Sequence, residues 1–111
     1  MKKNAINPSM YQLLPSILKD AAKDDNIVVC VLTGEGDYYS SGNDISNFGQ
    51  SYATSNNPSQ EAKATIQAFV EAFINFPKIL IAIINGPAIG IAATTLALCD
   101  VVYAAEKVFK Y

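Results

Sequence analysis

Ile79-Leu80-Ile81-Ala82-Ile83-Ile84-Asn85-Gly86-Pro87-Ala88-Ile89-Gly90-Ile91 decides how this chain is read. Its first six residues are wholly apolar and mostly β-branched, which reads as a strand covered on both faces, the pattern of a parallel sheet. Asn85, Gly86 and Pro87 end that strand, and a short helix of small apolar residues is predicted from Ala88 to Leu98. Because Asn85, Gly86, Pro87 and Gly90 interrupt the apolar run, it is not a membrane span.

Ile27 to Leu32 forms a second run of the same kind, also read as covered on both faces and closed by Thr33-Gly34-Glu35-Gly36, and Val101 to Ala104 is a third strand. Before the first of these strands, Asn7-Pro8 is a helix start, with a cap and then proline at the position where its missing N–H costs nothing. Met10, Leu13, Leu14, Ile17, Leu18, Ala21 and Ala22 then recur at helical spacing up to about Lys23. Pro15 is discordant and is expected to kink this helix or delay its start.

Asn57-Pro58-Ser59-Gln60 opens another helix, with Ile66, Phe69, Val70, Phe73 and Ile74 as its buried stripe and Pro77 as its stop. Residues 34–59 are polar and rich in Gly, Ser and Asn, and a loop of that length is functional or mobile. The order helix, strand, loop, helix, strand, helix, strand specifies an α/β domain with parallel strands joined by right-handed crossovers. No internal repeat or domain linker is visible.

The 111 residues fit one domain with a real core, yet 50% are apolar and only 16% charged, against roughly 25% charged in an average soluble domain. Much of the surface is therefore expected to pack on something else, either further polypeptide or a neighbouring subunit. A net charge of −2 gives no footprint for nucleic acid or an anionic membrane. Met1-Lys2-Lys3 leads into no apolar signal segment. Cys30 and Cys99 lie inside apolar runs and read as buried, reduced thiols.

The chemistry is carried by the loops that follow the first two strands, since ligands of open parallel sheets bind beyond the carboxyl ends of strands. Tyr39-Ser40-Ser41-Gly42-Asn43-Asp44-Ile45 holds one glycine that lets the backbone approach a ligand, and Gly90 is its counterpart at the helix start. A helix beginning around Ala88 adds unpaired N–H groups and partial positive charge. Two such donors make an oxyanion hole; glycines at strand ends are also ordinary turn chemistry, and the residues alone leave both readings open.

Other chemistry fares worse. Ser40 and Ser41 have no histidine to activate them, because the chain contains none. Asp44 reads as a cap or turn residue, and Glu35 and Asp37 as solvated. Glu61 and Glu71 read as solvated helix residues and Lys78 as a surface charge. Gly34, Gly36 and Gly42 do not fit a dinucleotide-binding fingerprint.

Taken together, Lys3-Asn4-Ala5-Ile6-Asn7, Val31-Leu32-Thr33-Gly34, Tyr38-Tyr39-Ser40-Ser41-Gly42-Asn43-Asp44, Phe76-Pro77-Lys78, Asn85-Gly86-Pro87-Ala88-Ile89-Gly90 and Cys99-Asp100-Val101-Val102-Tyr103-Ala104 resemble the crotonase superfamily of enoyl-CoA hydratases and isomerases. The blocks stand in the family's order over nearly the whole chain. Within it, the sequence is most similar to the peroxisomal-type Δ3,Δ2-enoyl-CoA isomerases of fatty-acid β-oxidation.

The resemblance implies a crotonase-like ββα-spiral core, here truncated, lacking the first strand before Asn4 and the carboxyl-terminal half. It implies that the backbone N–H groups of Asn43 and Ile91 form the oxyanion hole, with Ser40, Ser41, Gly42, Asn43, Asp44, Gly90 and Ile91 lining the substrate site. The implied guest is an acyl-CoA thioester, with no cofactor beyond the coenzyme A of the substrate.

Where the hydratase branch places a glutamate, this chain has Thr94, which disfavours hydration. The isomerase glutamate is expected further along, so these 111 residues alone are not expected to turn over substrate, and a non-catalytic CoA-thioester binder or assembly piece is the alternative. The resemblance also implies homotrimers for the full-length family and a peroxisomal location, with mitochondria as the alternative.

Overall fold

The computed structural model describes residues 3–44, 58–106 and 108. Asn57, expected as a cap, and Ile45 of the first loop lie outside the described residues. Helix α1 runs over Pro8–Lys23, strand β1 over Val29–Thr33, helix α2 over Pro58–Ile74, strand β2 over Ile79–Ile84, helix α3 over Ile91–Leu96 and strand β3 over Val101–Ala104.

Asn7 caps α1 as expected, its side chain accepting the Met10 N–H at 2.9 Å. The helix neither starts late nor breaks at Pro15. Its far end is closed by Lys78, whose ammonium donates to the carbonyls of Ala21 at 2.8 Å and Asp24 at 2.6 Å. Lys78 is thus a cap delivered from the start of another strand, not a free surface charge. Ile27 falls outside β1 because the Asp24 carbonyl takes its N–H in a turn.

The three strands form one parallel sheet in the order β1-β2-β3, with Val29 beside Ile79 and Ile81 beside Val101. Asp100 sets the entry to β3: its N–H donates to the Leu80 carbonyl, and its carboxylate accepts the Leu80 N–H, both at 2.8 Å. Helices α1 and α2 meet through Tyr11 and Phe69, whose rings stand edge to face at 5.0 Å, and Phe73 continues the stack. With Ile6, Leu18, Leu80 and Ala92 these residues are the buried core, and Cys30 and Leu32 of β1 pack against it.

Three expectations about burial are corrected. Phe69 and Phe73 are buried, but Ile66 and Ile74 of the expected stripe are 41% and 59% exposed, so α2 buries a narrow aromatic ridge. Among the described residues β1 and β2 are covered on only one face, with Val31 and Ile83 on the other face 52% and 43% exposed, and β3 is exposed on both, with Val102 at 42% and Tyr103 at 62%. Burial in β1 and β2 therefore alternates, where the continuous apolar runs imply two covered faces. Cys30 and Cys99, expected to be buried, are free thiols but only half-buried. No helix among the described residues is long and apolar enough to cross a membrane.

Candidate active site

Both glycine-bearing loops leave the same edge of the sheet, and they interlock backbone against backbone. Ser40 donates its N–H to the Pro87 carbonyl at 3.3 Å and accepts the Ile89 N–H at 3.0 Å, so residues 40 and 88 pair as an isolated parallel bridge. This pairing holds Ala88 and Ile89 extended and postpones α3 to Ile91, three residues later than the expected start at Ala88. Gly90 makes the turn into the helix with φ +63°.

The segment after Ser40 is held from its other side by the amino-terminal residues. Ser41 N–H donates to Lys3, the Gly42 carbonyl accepts from Ile6 at 2.8 Å, and Asp44 N–H donates to Ile6 at 3.0 Å. Residues 6 and 43 thereby pair as an isolated parallel bridge. Gly42, at φ +86°, lies against the second loop: a β-carbon there would meet the Ile89 carbonyl and lie 3.7 Å from Gly90 Cα. The two glycine turns thus lie side by side, and Asn43 and Ile91 are the residues that follow them.

Each expected site residue has a definite position. Ser40 is buried, its hydroxyl donating to the Asn4 carbonyl at 2.8 Å and accepting the Gly42 N–H at 3.1 Å. It is a turn former, consistent with the lack of any activating base. Asp44 is buried beside Ile6, while Glu35, Asp37, Glu61 and Glu71 are exposed. Ile91 opens α3, and its N–H has no acceptor among the described residues. Thr94 is exposed and turns its hydroxyl back to the Gly90 carbonyl at 3.2 Å.

Asn4 and Asn85 carry parts of this geometry that the sequence gives no local sign of. Asn4 donates to the carbonyls of Glu35 at 2.8 Å and Tyr38 at 3.0 Å. Asn85 accepts the Gly34 N–H at 3.0 Å and donates to the carbonyls of Gly36 at 2.7 Å and Tyr38 at 3.1 Å.

An apolar cavity of about 330 Å³ lies behind the first loop, lined by Leu14, Leu32, Tyr39, Phe69 and Thr95 among others; neither Asn43 nor Ile91 lines it. Burial, with the neighbouring Cys99 thiol, pushes the Tyr39 phenol up to about 12. Burial and then Asp100 push the Cys99 thiol up. Both groups stay protonated near neutrality, so neither is a base or a thiolate nucleophile there. No cluster of metal-binding side chains occurs among the described residues.

The chain matches the enoyl-CoA hydratase/isomerase family over residues 1–109. It is 50% identical over 112 aligned positions to human enoyl-CoA delta isomerase 2, covering 96% of this chain and 27% of that protein. To the mouse peroxisomal enoyl-CoA delta isomerase 3 it is 46% identical, covering 96% and 33%. The chain thus spans a third or less of these relatives. The crystal structure of an enoyl-CoA hydratase/isomerase from Pseudoalteromonas atlantica superposes with a TM-score of 0.80 at 33% identity, over 96% of this chain and 40% of that one. Sequence and fold agree: the chain belongs to the enoyl-CoA hydratase/isomerase family.

Proposed function

We propose that residues 1–111 form the carbonyl-binding part of a Δ3,Δ2-enoyl-CoA isomerase. The observation that supports this reading is the close approach of Gly42, which precedes Asn43, to Ile89 and Gly90, which precede Ile91; the N–H groups of Asn43 and Ile91 are taken as the two donors. The delta isomerase names of the human and mouse relatives support the branch, and Thr94 in place of a carboxylate favours isomerisation over hydration.

In this reading the thioester oxygen of a 3-enoyl-CoA accepts from both N–H groups. Removal of a proton from C2 moves charge onto that oxygen, the double bond shifts as the dienolate forms, and a proton returned at C4 gives the 2-enoyl product. Fixed donors stabilise the charge as it develops, and losing one costs about 3–4 kcal/mol of transition-state stabilisation. The proton carrier is assigned to a carboxylate outside these 111 residues. The mouse relative's name supports a peroxisomal setting.

Thermal unfolding with and without ligand tests binding. A 3-enoyl-CoA at about 100 times its dissociation constant stabilises the folded chain by about 2.7 kcal/mol, a shift of several degrees, beyond any shift with free CoA. An unfolding temperature unmoved by saturating 3-enoyl-CoA would overturn the reading.

A further inference from the structure

Asn85 ends β2 in sequence, yet its side chain is bonded entirely to the other loop. One amide accepts from Gly34 and donates to the carbonyls of Gly36 and Tyr38, and so grips the loop at both ends of 34–38. Only a short primary amide offers an acceptor and two donors in that arrangement; aspartate lacks the donors. Two residues beyond Tyr38, Ser40 begins the pairing with Pro87 and Ile89 that leads to Gly42.

Close packing makes this grip consequential. A β-carbon on Gly86 would run into the Asp37 carbonyl, and one on Gly34 into the backbone of Tyr38 and Tyr39. The two loops therefore touch without side chains between them, and Asn85 is the side chain that bonds them at this point.

We infer that Asn85 is a positioning residue, whose amide fixes the first loop against the second and thereby sets the spacing of the Asn43 and Ile91 N–H groups. The catalytic consequence rests on the function proposed above, whereas the clamp itself is a property of the unliganded chain.

Three variants test it: Asn85→Asp, which keeps size and the acceptor; Asn85→Ala, which removes all three bonds; and Lys78→Met, which loosens the end of α1 far from both loops. Amide hydrogen exchange in the unliganded chain reads the clamp, and the ratio of affinities for a saturated acyl-CoA and free CoA reads the donors.

Exchange at Tyr39 and Ser40 is expected to accelerate about tenfold relative to α1 amides in both Asn85 variants, and exchange at Gly34 in Asn85→Ala, where its acceptor is gone. The preference for acyl-CoA over CoA falls about tenfold, while free CoA binding holds. Lys78→Met changes neither ratio.

Wild-type protection at Tyr39 and Ser40 in the Asn85→Asp chain would overturn the inference, as would an unchanged acyl-CoA preference in a variant whose loop has loosened. A wild-type chain without any preference for acyl-CoA would instead defeat the functional reading, and exchange alone would then decide the role of Asn85.

Discussion

A β-carbon on Gly42 would stand 2.5 Å from the carbonyl oxygen of Ile89. The position also has φ +86°, which L side chains rarely adopt. Gly42→Ala therefore meets two costs, a strained backbone and a collision with backbone that cannot swing aside. It is expected to lower stability by at least about 2 kcal/mol and to abolish acyl-CoA preference. Gly36→Ala is the comparison: φ is +82° but nothing lies within 4 Å, so the loss is only about 1 kcal/mol. Urea unfolding of the two variants separates proximity from backbone strain.

Ile83 and Ile84 are adjacent in β2 yet lie on opposite faces, one 43% and the other 4% exposed. Ile84→Thr buries a hydroxyl and removes packing, and should cost about 2–4 kcal/mol. Ile83→Thr should change the stability of the 111-residue chain by less than about 0.5 kcal/mol. Equal losses would mean that the outer face is covered in solution.

Lys78 reaches the last turn of α1, where its charge meets two carbonyls. Lys78→Met keeps much of the aliphatic stem and removes both bonds. A loss of about 1–2 kcal/mol is expected, with amide exchange rising first near Ala21 to Asp24.

Tyr39 links stability to alkaline pH. Its phenol titrates near 10 when unfolded and is pushed up to about 12 in the fold. Below pH 10 both states hold the proton and the contribution is complete. Between about 10 and 12 the unfolded state releases it first, so stability falls with rising pH. Cys99, also pushed up, acts in the same direction. Tyr39→Phe should flatten that decline in denaturant midpoints and leave the slope near neutrality unchanged.

Much of this architecture is legible in short stretches. The Asn7 cap, the apolar run at 79–84 and the strand at 101–104 need only local information, and each stands where the sequence puts it. The start of α3 is not local: Ala88 and Ile89 are drawn into pairing with Ser40, a residue 48 positions earlier. Burial is likewise tertiary, since an apolar strand looks the same whether one face or two are covered.

The pair of glycine-bearing loops is visible as a motif, and their meeting at Gly42 and Gly90 follows from the sheet. The roles of Asn85 and Lys78 are not visible in advance. Each bonds to backbone carbonyls far away in the chain, and nothing in a lone amide or ammonium names its acceptor.

The central claim is that two backbone N–H groups polarise a thioester carbonyl, and isotope-edited infrared spectroscopy measures that directly. With an acyl-CoA carrying ¹³C at C1, the carbonyl stretch is expected to shift to lower frequency on binding, as two hydrogen bonds weaken the C=O bond. A stretch left at its free-solution frequency in a saturated complex would contradict it.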